Sequence, residues 1–423
     1  MIWLLFLIFF LLLFLRFPIA FALGISTLTY ILFSGYPLII MPLKMYSGID
    51  VFVLLSIPGF ILAGNLMNSC GMTDRIIKFC NHLLGHIRGG LSLANIGASM
   101  VFSGISGTAI SDTASIGSVM IPAMKKEGYD AGFACAVTAS SSTIGPIIPP
   151  SLPMIIAGSL TGLSIGKLFV AGAIPGILLA AGFMIVSYTI SKKKNHPRQP
   201  KATWKNRGKS LIHAFWALFM TFLILFGIIS GVFTPTEASV VAVLYALLIG
   251  TLIYKTLTWK SLSSVMTTSA GTTASLMLLV GFANLFGWIL VSEQIPQNLA
   301  EFLLTITGNK FLLLLLINIL LIIIGSFMET IAALLIVYPI LLKVAIFAGV
   351  DPIQFSVIAV LNLIIGLNTP PVGVCLFVAS GIGKVSLEKV AKAGLPFLMV
   401  SLIILLLVTY IPALSLYLPG LFD

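Results

Sequence analysis

Charged side chains are scarce in this sequence. Only 8% of the 423 residues are Asp, Glu, Lys or Arg, and 59% are hydrophobic, whereas soluble proteins carry about 25% charged residues. A chain with so little charge does not fit an ordinary soluble enzyme or binding domain. The composition instead predicts a polytopic membrane protein with an all-α fold.

Paired cysteines, phosphate-binding loops and zinc-binding signatures are missing as well. The four cysteines are widely spaced, which argues against a disulfide framework or a metal centre. His82 and His86 lie one helical turn apart, but the glutamate of an HExxH zinc site is absent. The sequence contains no G-x-x-x-x-G-K-[ST] loop, so we expect an ion gradient, and not ATP hydrolysis, to supply the energy for any transport.

Long apolar runs fill the chain. Segments of about 20 apolar residues, the length that crosses a bilayer, recur along it and predict about 11 to 13 membrane elements. The run 2–15 lacks a basic n-region and a small-residue cleavage site, so we interpret it as a retained helix and not as a signal peptide. Two amphipathic stretches, residues 74–89 and 386–394, are expected along the membrane interface as connecting arms.

The positive charge is concentrated in one segment. Residues 192 to 209, KKKNHPRQPKATWKNRGK, contain eight of the 23 Lys and Arg residues and no acid. A nucleic-acid-binding patch would share this composition, but between two apolar spans the positive-inside rule predicts a basic cytoplasmic loop over residues 192–210. We therefore expect no nucleic-acid partner.

The halves on either side of this loop resemble each other. IGPIIPP at residues 144–150 matches IGLNTPP at residues 365–371, at an offset of 221 residues. The same offset aligns three further pairs: Gly128 with Gly349, Asp130 with Asp351, and Pro175 with Pro396. Such self-similarity indicates an internal duplication. Basic residues flank the two copies at opposite ends, which is typical of inverted-topology repeats.

Clustered prolines predict a broken helix in each copy, within residues 143–153 and 365–373. Proline lacks an amide donor and clashes with the preceding turn, so consecutive prolines end a helix. Irregular backbone at membrane depth must be surrounded by protein or by a water-filled cavity. The two breaks therefore predict a central site, where half-helix ends provide carbonyl oxygens for a cation and amides for an anion.

Each copy also contains a polar segment that predicts a re-entrant helical hairpin. The tips are residues 102–118, FSGISGTAISDTASIGS, and residues 325–335, GSFMETIAALL, and each follows a short apolar run. Their acids, Asp112 and Glu329, align at an offset of 217. Hydroxyl groups at these tips supply uncharged oxygens, which suit a hard monovalent cation.

Structural and enzymatic explanations compete with this interpretation. Small residues in membrane helices most often mediate helix packing. Asp112 and Glu329 fit equally well as structural hydrogen-bond partners or as functional acids. GISG at residues 104–107 matches the nucleophile segment of intramembrane serine proteases, with Ser106 as the nucleophile, although the only span-embedded candidate base is His213, beside the basic loop.

The segments SGISGTAISDTASIGSVMIPAM and STIGPIIPPSLPMIIAG, with their NTPPVG counterpart, resemble a known family. This is the large, DctM-like membrane subunit of tripartite ATP-independent periplasmic (TRAP) transporters, of the ion transporter superfamily. The resemblance covers essentially the whole chain. It implies an elevator-type carrier that couples to Na⁺ at two sites. It also implies two partners, a small DctQ-like membrane subunit and a soluble DctP-like periplasmic protein that delivers an organic-acid anion.

Under this resemblance the chain has four parts and no enzymatic activity. Residues 1–50 form N-terminal scaffold helices, 51–191 the first repeat, 192–210 the basic loop and 211–423 the second repeat. The protein is expected in the lipid bilayer of the bacterial inner membrane, as a multi-pass protein. The basic loop would face the cytoplasm and the C-terminus the periplasm.

The resemblance also assigns site residues at the tips and breaks. The expected sodium ligands are Ser103, Ser106, Gly145, Pro149, Gly325, Gly366, Asn368 and Thr369. The expected substrate contacts are Thr108, Ser111, Ser326 and Asn368. The helix-break prolines are Pro146, Pro149, Pro150, Pro370 and Pro371.

The nature of the anion follows less directly from the residues. Neither tip contains Arg or Lys, so a carboxylate would bind to half-helix N-termini and hydroxyls. A dicarboxylate needs two such sites and a polyhydroxylated monocarboxylate needs one, which favours a sialic acid over a C4-dicarboxylate. The alternative function is a sodium/anion symporter of the same superfamily that needs no binding protein, because it would share the repeats and breaks.

Overall fold

The chain is helical throughout the part that the structure describes. The computed structural model describes residues 2–15, 17–295, 298, 309–370 and 372–421, without the side chains of residues 103–106. Every regular element in these ranges is a helix. The predicted all-α fold is therefore confirmed for the described residues.

The first half of the chain, up to the basic segment, contains helices of 10 to 29 residues. They are α1 (Ile2–Phe14), α2 (Ile19–Ser34), α3 (Ile40–Ile49), α4 (Ser56–Ser69), α5 (Met72–Leu84), α6 (Gly90–Ser106), α7 (Ala109–Lys126), α8 (Ala131–Ser142), α9 (Leu152–Thr161) and α10 (Ile165–Lys193). Helix α5 is the predicted first arm. It buries Ile76, Ile77 and Cys80 on one face and carries its charged residues on the other.

The second half begins with three long helices and then repeats the pattern of the first. Its helices are α11 (Trp204–Ile229), α12 (Pro235–Leu248), α13 (Trp259–Ser292), α14 (Lys310–Phe327), α15 (Thr330–Phe347), α16 (Pro352–Gly366), α17 (Val374–Gly383), α18 (Leu387–Tyr410) and α19 (Ala413–Leu416). Helices α14 to α18 follow one another as α6 to α10 do. In each set a helix pair precedes two shorter helices and one long helix.

The chain is a multi-span membrane protein. The described residues include eight helices that are long and apolar enough to cross a membrane. Helices α9 and α17 have only 10 residues each, about half the length that a span requires. The larger number predicted from the sequence, about 11 to 13 elements, counts short elements such as these.

The aligned residues of the two copies form the same turn at the start of each broken helix. Gly128 and Gly349 have positive φ angles of 87° and 72°, which favour glycine. Two residues later, Asp130 and Asp351 cap α8 and α16, where each carboxylate accepts a backbone N–H of the first turn, at 3.0 and 2.8 Å. The glycine ends one helix and the aspartate begins the next.

The irregular connection between the halves is shorter than the predicted loop 192–210. Helix α10 continues to Lys193 and α11 begins at Trp204, so only residues 194–203 are non-helical. The connection packs against the first copy: the Gln199 side-chain amide donates to the Glu127 carboxylate at 2.6 Å.

His196 lies buried within this connection. Its ring packs against Tyr129 and Phe133, at centroid distances of 4.4 and 5.1 Å, and its Nδ1 lies 3.1 Å from the Ser191 hydroxyl. Burial and the positive charge of Lys194 lower the pKa of His196. The site therefore favours the neutral imidazole.

Charged groups join the two copies at their ends. The Lys389 amine of α18 lies 3.0 Å from the carboxylate of Asp130, the cap of α8. The Lys125 amine of α7 donates to the Gly383 carbonyl at the end of α17, at 2.9 Å. A cation is favoured there by the negative end of the helix dipole.

Candidate functional site

The first tip is a two-residue connection that contacts the first break. Helix α6 ends at Ser106 and α7 begins at Ala109, so most of the predicted tip 102–118 is helical. A Cβ added at Gly107 would lie 3.1 Å from the Pro150 carbonyl oxygen and 3.2 Å from the Leu152 nitrogen. The close approach and a φ of 63° both favour glycine at this position.

A carboxylate also lies against the first break. Asp112, in the first turn of α7, is fully buried. A Cβ added at Gly145 would lie 2.5 Å from the Asp112 Oδ2 atom. Because Gly145 has no side chain, the carboxylate can reach the backbone of the break. The structure therefore brings two of the predicted site residues together.

The first break covers residues 143–151, between α8 and α9. Ser151 caps α9, because its hydroxyl accepts the Met154 N–H at 3.2 Å and donates to the Pro146 carbonyl. The carbonyl of Pro146 is thereby used within the break. Gly145, Pro149 and Pro150 lie in the same non-helical segment.

The second tip and second break meet through two glycines. Gly325 lies in the last turn of α14, and Gly366 ends α16. A Cβ added at Gly366 would lie only 2.5 Å from the Gly325 Cα atom. The two backbones are therefore in direct contact, as small residues allow between membrane helices.

Glu329 has a structural role at the second tip. It is the N-cap of α15, and its carboxylate accepts the N–H groups of Ile331 and Ala332 at 2.9 and 3.3 Å. A carboxylate at this position satisfies amides that the helix leaves unpaired.

The predicted equivalence of Asp112 and Glu329 is wrong. The N-cap of α7 is Thr108, which precedes Glu329, the N-cap of α15, by the same offset of 221 residues as the other aligned pairs. Asp112 lies one turn further along its helix. The copies thus share the capping position but carry their acids on different turns.

The second break, described at residues 367–370 and 372–373, connects to the first copy. The side-chain amide of Asn368 donates to the Ala139 carbonyl of α8 at 3.2 Å. Its Oδ1 atom is buried and accepts no hydrogen bond from the described residues, so it can accept one from a ligand or coordinate a cation. The hydroxyl of Thr369 donates to the Ile365 carbonyl at 2.9 Å, and Pro370 is exposed.

The predicted substrate contacts are distributed over both tips and one break. Thr108 and Ser111 lie at the start of α7 and are partly exposed. Ser326 is buried in the last turn of α14, where its hydroxyl donates to the Ile323 carbonyl at 2.7 Å. Asn368 is the member of the set that links the two copies.

Three predicted positions lie outside the described residues. They are Pro371 and the side chains of Ser103 and Ser106. Ser106 is also the nucleophile of the protease alternative. The candidate base of that alternative, His213, lies on α11, which carries neither a tip nor a break.

Sequence analysis missed a buried amide pair next to the second site. The side-chain amide of Asn362 in α16 donates to the side-chain Oδ1 atom of Asn318 in α14 at 2.9 Å, and the side-chain amide of Asn318 donates to the Thr409 hydroxyl of α18 at 3.0 Å. These bonds join the helix pair, the broken helix and the long helix of the second copy. The available signal was the presence of single amides within otherwise apolar runs.

Known proteins match this chain over most of its length. Residues 6–414 match the family model described as "Tripartite ATP-independent periplasmic transporter, DctM component". The sialic acid TRAP transporter large permease protein SiaM of Vibrio cholerae serotype O1 is 46% identical over 379 residues, which cover 90% of this chain and 89% of the relative. The C4-dicarboxylate TRAP transporter large permease protein DctM of Pseudomonas aeruginosa is 40% identical over 400 residues, which cover 94% of each.

A longer relative and a solved structure complete the comparison. The isethionate TRAP transporter permease protein DctMQ of Oleidesulfovibrio alaskensis is 40% identical, and the match covers 95% of this chain but 64% of that protein. The crystal structure of the Alcanivorax borkumensis YdaH transporter has a TM-score of 0.59 at 14% identity, over 87% of this chain and 86% of that one. The latter likeness shows a shared all-helical membrane fold.

The family match covers residues 6–414, and relatives matched over most of their length are 40% and 46% identical, which is enough to assign the chain to a family. The chain belongs to the DctM component family of tripartite ATP-independent periplasmic transporters, as the large permease subunit, and is a transporter component and not an enzyme.

Proposed function

We propose that this permease imports an organic-acid anion together with Na⁺, and that a sialic acid is its substrate in preference to a C4-dicarboxylate. In support, the relative named for sialic acid is 46% identical, and the one named for C4-dicarboxylates is 40% identical. The sequence of both tips lacks Arg and Lys, which suits a ligand with one carboxylate and several hydroxyls.

The observation that carries this proposal is the hydrogen bond from Asn368 to the Ala139 carbonyl. It joins the second break to the last two turns of α8, directly before the first break. The tip of each copy also contacts its broken helix, through Gly107 at the first break and through Gly325 at Gly366, the last residue of α16 before the second break. We infer that the two breaks border one central region, as expected for binding of a substrate and its coupling ion.

Two sodium sites are proposed within this region. The first would use the tip hydroxyls of Ser103 and Ser106 with the carbonyls of Gly145 and Pro149. The second would use Asn368 and Thr369 with the carbonyls of Gly325 and Gly366. Half-helix C-termini leave backbone carbonyls unpaired, and oxygen ligands of this kind suit Na⁺.

We further propose that the copies are inverted repeats with re-entrant hairpins, α6–α7 and α14–α15, which move as an elevator against the remaining helices. The lengths of α9 and α17, 10 residues each, support half-spanning pieces. The basic connection between α10 and α11 would lie in the cytoplasm, and the end of α18 would lie in the periplasm of an inner membrane.

We also propose two protein partners for this chain. A small membrane subunit would assemble with this chain, and a soluble periplasmic protein would deliver the substrate. In support, this chain covers only 64% of the relative called DctMQ, which leaves room in that protein for a second membrane component.

The test is uptake in proteoliposomes that contain this chain and its small subunit. Labelled sialic acid, a C4-dicarboxylate and a sugar acid would each be supplied with and without the cognate binding protein, in Na⁺ or in K⁺. We expect uptake of sialic acid only with Na⁺ and the binding protein. Uptake with Na⁺ but without the binding protein would favour the independent symporter.

Two variants test the sodium sites directly. Ser103→Ala and Thr369→Ala should each raise the Na⁺ concentration needed for half-maximal uptake, because each removes a proposed oxygen ligand. Thr236→Ala, at the start of α12, is the control and should behave as the wild type. An unchanged Na⁺ dependence in both site variants would contradict the proposed sites.

A further inference from the structure

A cleft of about 570 Å³ lies between the arm helix α5 and helix α11. One wall is the face of α5 that carries Arg75, Lys78 and His82, and the other is the face of α11 that carries Lys209 and His213. The lining residues belong to neither tip and neither break. The cleft is therefore separate from the proposed transport site.

The walls of this cationic cleft carry an excess of positive charge. The lining includes three cationic side chains, Arg75, Lys78 and Lys209, and one acidic side chain, Asp74. Within the part of the chain that the structure describes, neither lysine forms an ion pair. Two amines with unmatched charge on facing helices attract an anion.

One cation of the cleft is held in a fixed position. The Arg75 guanidinium donates to the carbonyls of Cys70 and Gly71 at 3.0 and 2.8 Å, and it lies 3.7 Å from the centre of the Tyr254 ring. The Nδ1 atom of His82 is buried and has no hydrogen-bond partner among the described residues. A fixed guanidinium and a polar nitrogen without a partner are features of a binding site for an oxyanion.

Apolar side chains are exposed next to the cleft. Leu211 and Ile212 lie between the cleft residues Ser210 and His213 along α11 and are 45% and 69% exposed. Leu83, next to His82 on α5, is 46% exposed. Trp204, at the start of α11, is exposed as well, as is typical of aromatic residues at the membrane interface. A ligand of this surface would have an anionic head and hydrocarbon chains.

We propose that the cationic cleft binds the phosphate headgroup of an anionic phospholipid. Lys78 and Lys209 would share the phosphate, and the acyl chains would lie along the exposed residues of α11. Basic pockets between membrane helices on the cytoplasmic side recognise headgroups of this kind. Because α5 joins α4 to α6, the first helix of the first tip, the bound lipid would hold this arm against α11.

Binding can be measured on the full chain purified in neutral detergent. Native mass spectrometry and thermal unfolding would compare phosphatidylglycerol or cardiolipin with phosphatidylcholine. We expect one anionic lipid to be retained and to raise the unfolding temperature more than phosphatidylcholine does. Equal retention and equal stabilisation by phosphatidylcholine would overturn the proposal.

Charge variants locate the site. The double variant Lys78→Gln/Lys209→Gln should bind the anionic lipid about 30-fold more weakly, since each lysine near an anionic headgroup accounts for about fivefold. Lys201→Gln/Lys205→Gln removes the same charge from the basic segment outside the cleft and should retain binding. An equal loss in this control would show general attraction to basic surface and would overturn the site.

A charge-retaining variant and a soluble phosphate ligand serve as further tests of the lipid site. Lys78→Arg/Lys209→Arg retains both charges and should keep the lipid, so a loss of lipid in this variant would also contradict the assignment. Inorganic phosphate or pyrophosphate, added to delipidated protein, tests a soluble ligand. If either raises the unfolding temperature as much as the lipid does, the cleft is a phosphate site and not a lipid site.

Discussion

The two copies share the order of their helices but build their tips and breaks from different residues. In the first copy, Gly107 contacts the break and the buried Asp112 lies against Gly145. In the second copy, Gly325 and Gly366 bring two backbones together, and the acid Glu329 caps a helix at the tip.

This difference separates the features that recur in both copies from those that occur in one copy. The N-caps of α7 and α15, the N-caps of α8 and α16, and the positive-φ pair Gly128 and Gly349 recur at one offset, because they define where helices end and begin. The acids of the two tips, Asp112 and Glu329, do not share this offset, so the proposed central region is asymmetric in charge. Two sodium sites built on it would differ in affinity.

The largest expected effect comes from the glycine contact of the second copy. Gly366→Ala places a Cβ 2.5 Å from the Gly325 Cα atom, and backbone cannot rotate away as a side chain can. We expect a loss of about 3 kcal/mol or failure to fold, measured by thermal unfolding in detergent. Gly145→Ala meets the end of the Asp112 side chain and should cost less.

The control for both glycine variants is Gly381→Ala in α17. A Cβ at that position meets no atom within 4 Å, and alanine favours helix over glycine. The unfolding temperature should stay the same or rise. If Gly366→Ala were as stable as this control, the backbone contact between α14 and α16 would not be as close as described.

Neutralising Asp112 should reduce uptake much more than neutralising Glu329. Asp112→Asn removes a negative charge beside the first break, and we expect Na⁺-dependent uptake to fall about tenfold at saturating substrate, equivalent to about 1.4 kcal/mol. Glu329→Gln keeps an oxygen that accepts the two capping N–H groups and should retain most of the uptake. Equal losses in both variants would show that the acids are functionally equivalent after all.

Removing the Asn368 hydrogen bond between the copies should have a moderate effect on stability. Asn368→Ala deletes the hydrogen bond to the Ala139 carbonyl and should lower the free energy of unfolding by about 1 kcal/mol. Thr369→Val deletes only a bond within its own copy, to the Ile365 carbonyl, and should cost less. A larger loss in Thr369→Val would mean that Asn368 does not hold the copies together.

The smallest expected effect is a pH dependence at the connection that packs against the first copy. The fold favours the neutral form of His196, whose pKa is lowered, whereas the unfolded chain binds a proton below about pH 6.5. Stability should therefore fall as the pH drops through that value, by about 1–2 °C in unfolding temperature. His196→Gln should reduce the difference in unfolding temperature between pH 7.5 and pH 5.5, and an unchanged difference in this variant would contradict the role of His196.

The sequence was most informative where local chemistry dictates structure. Proline positions located both breaks to within a few residues, because proline disrupts helices regardless of tertiary context. The aligned Gly and Asp pairs, used in the sequence only as signs of a duplication, lie directly before α8 and α16, where the glycine ends one helix and the aspartate begins the next. The tips were harder to place: residues 102–106 and 109–118 are small and polar but still helical.

Features that depend on tertiary contact could not be found in this way. Nothing local indicates that Asp112 faces Gly145, since the two residues lie on different helices and meet only after packing. The offset of 217 misaligned the acids because it matched residue types without the capping geometry. The Asn318–Asn362 pair was missed because a single amide in an apolar helix has no partner that sequence can identify.

The contacts between the copies constrain the order of biogenesis. Gly383, Lys389 and Asn368 of the second copy complete the surroundings of Lys125, Asp130 and Ala139 in the first. A membrane protein is inserted while its chain is being synthesised, so α7 and α8 enter the bilayer well before these partners exist. Until α16 to α18 have left the ribosome, the nascent first half holds polar groups whose partners have yet to be made.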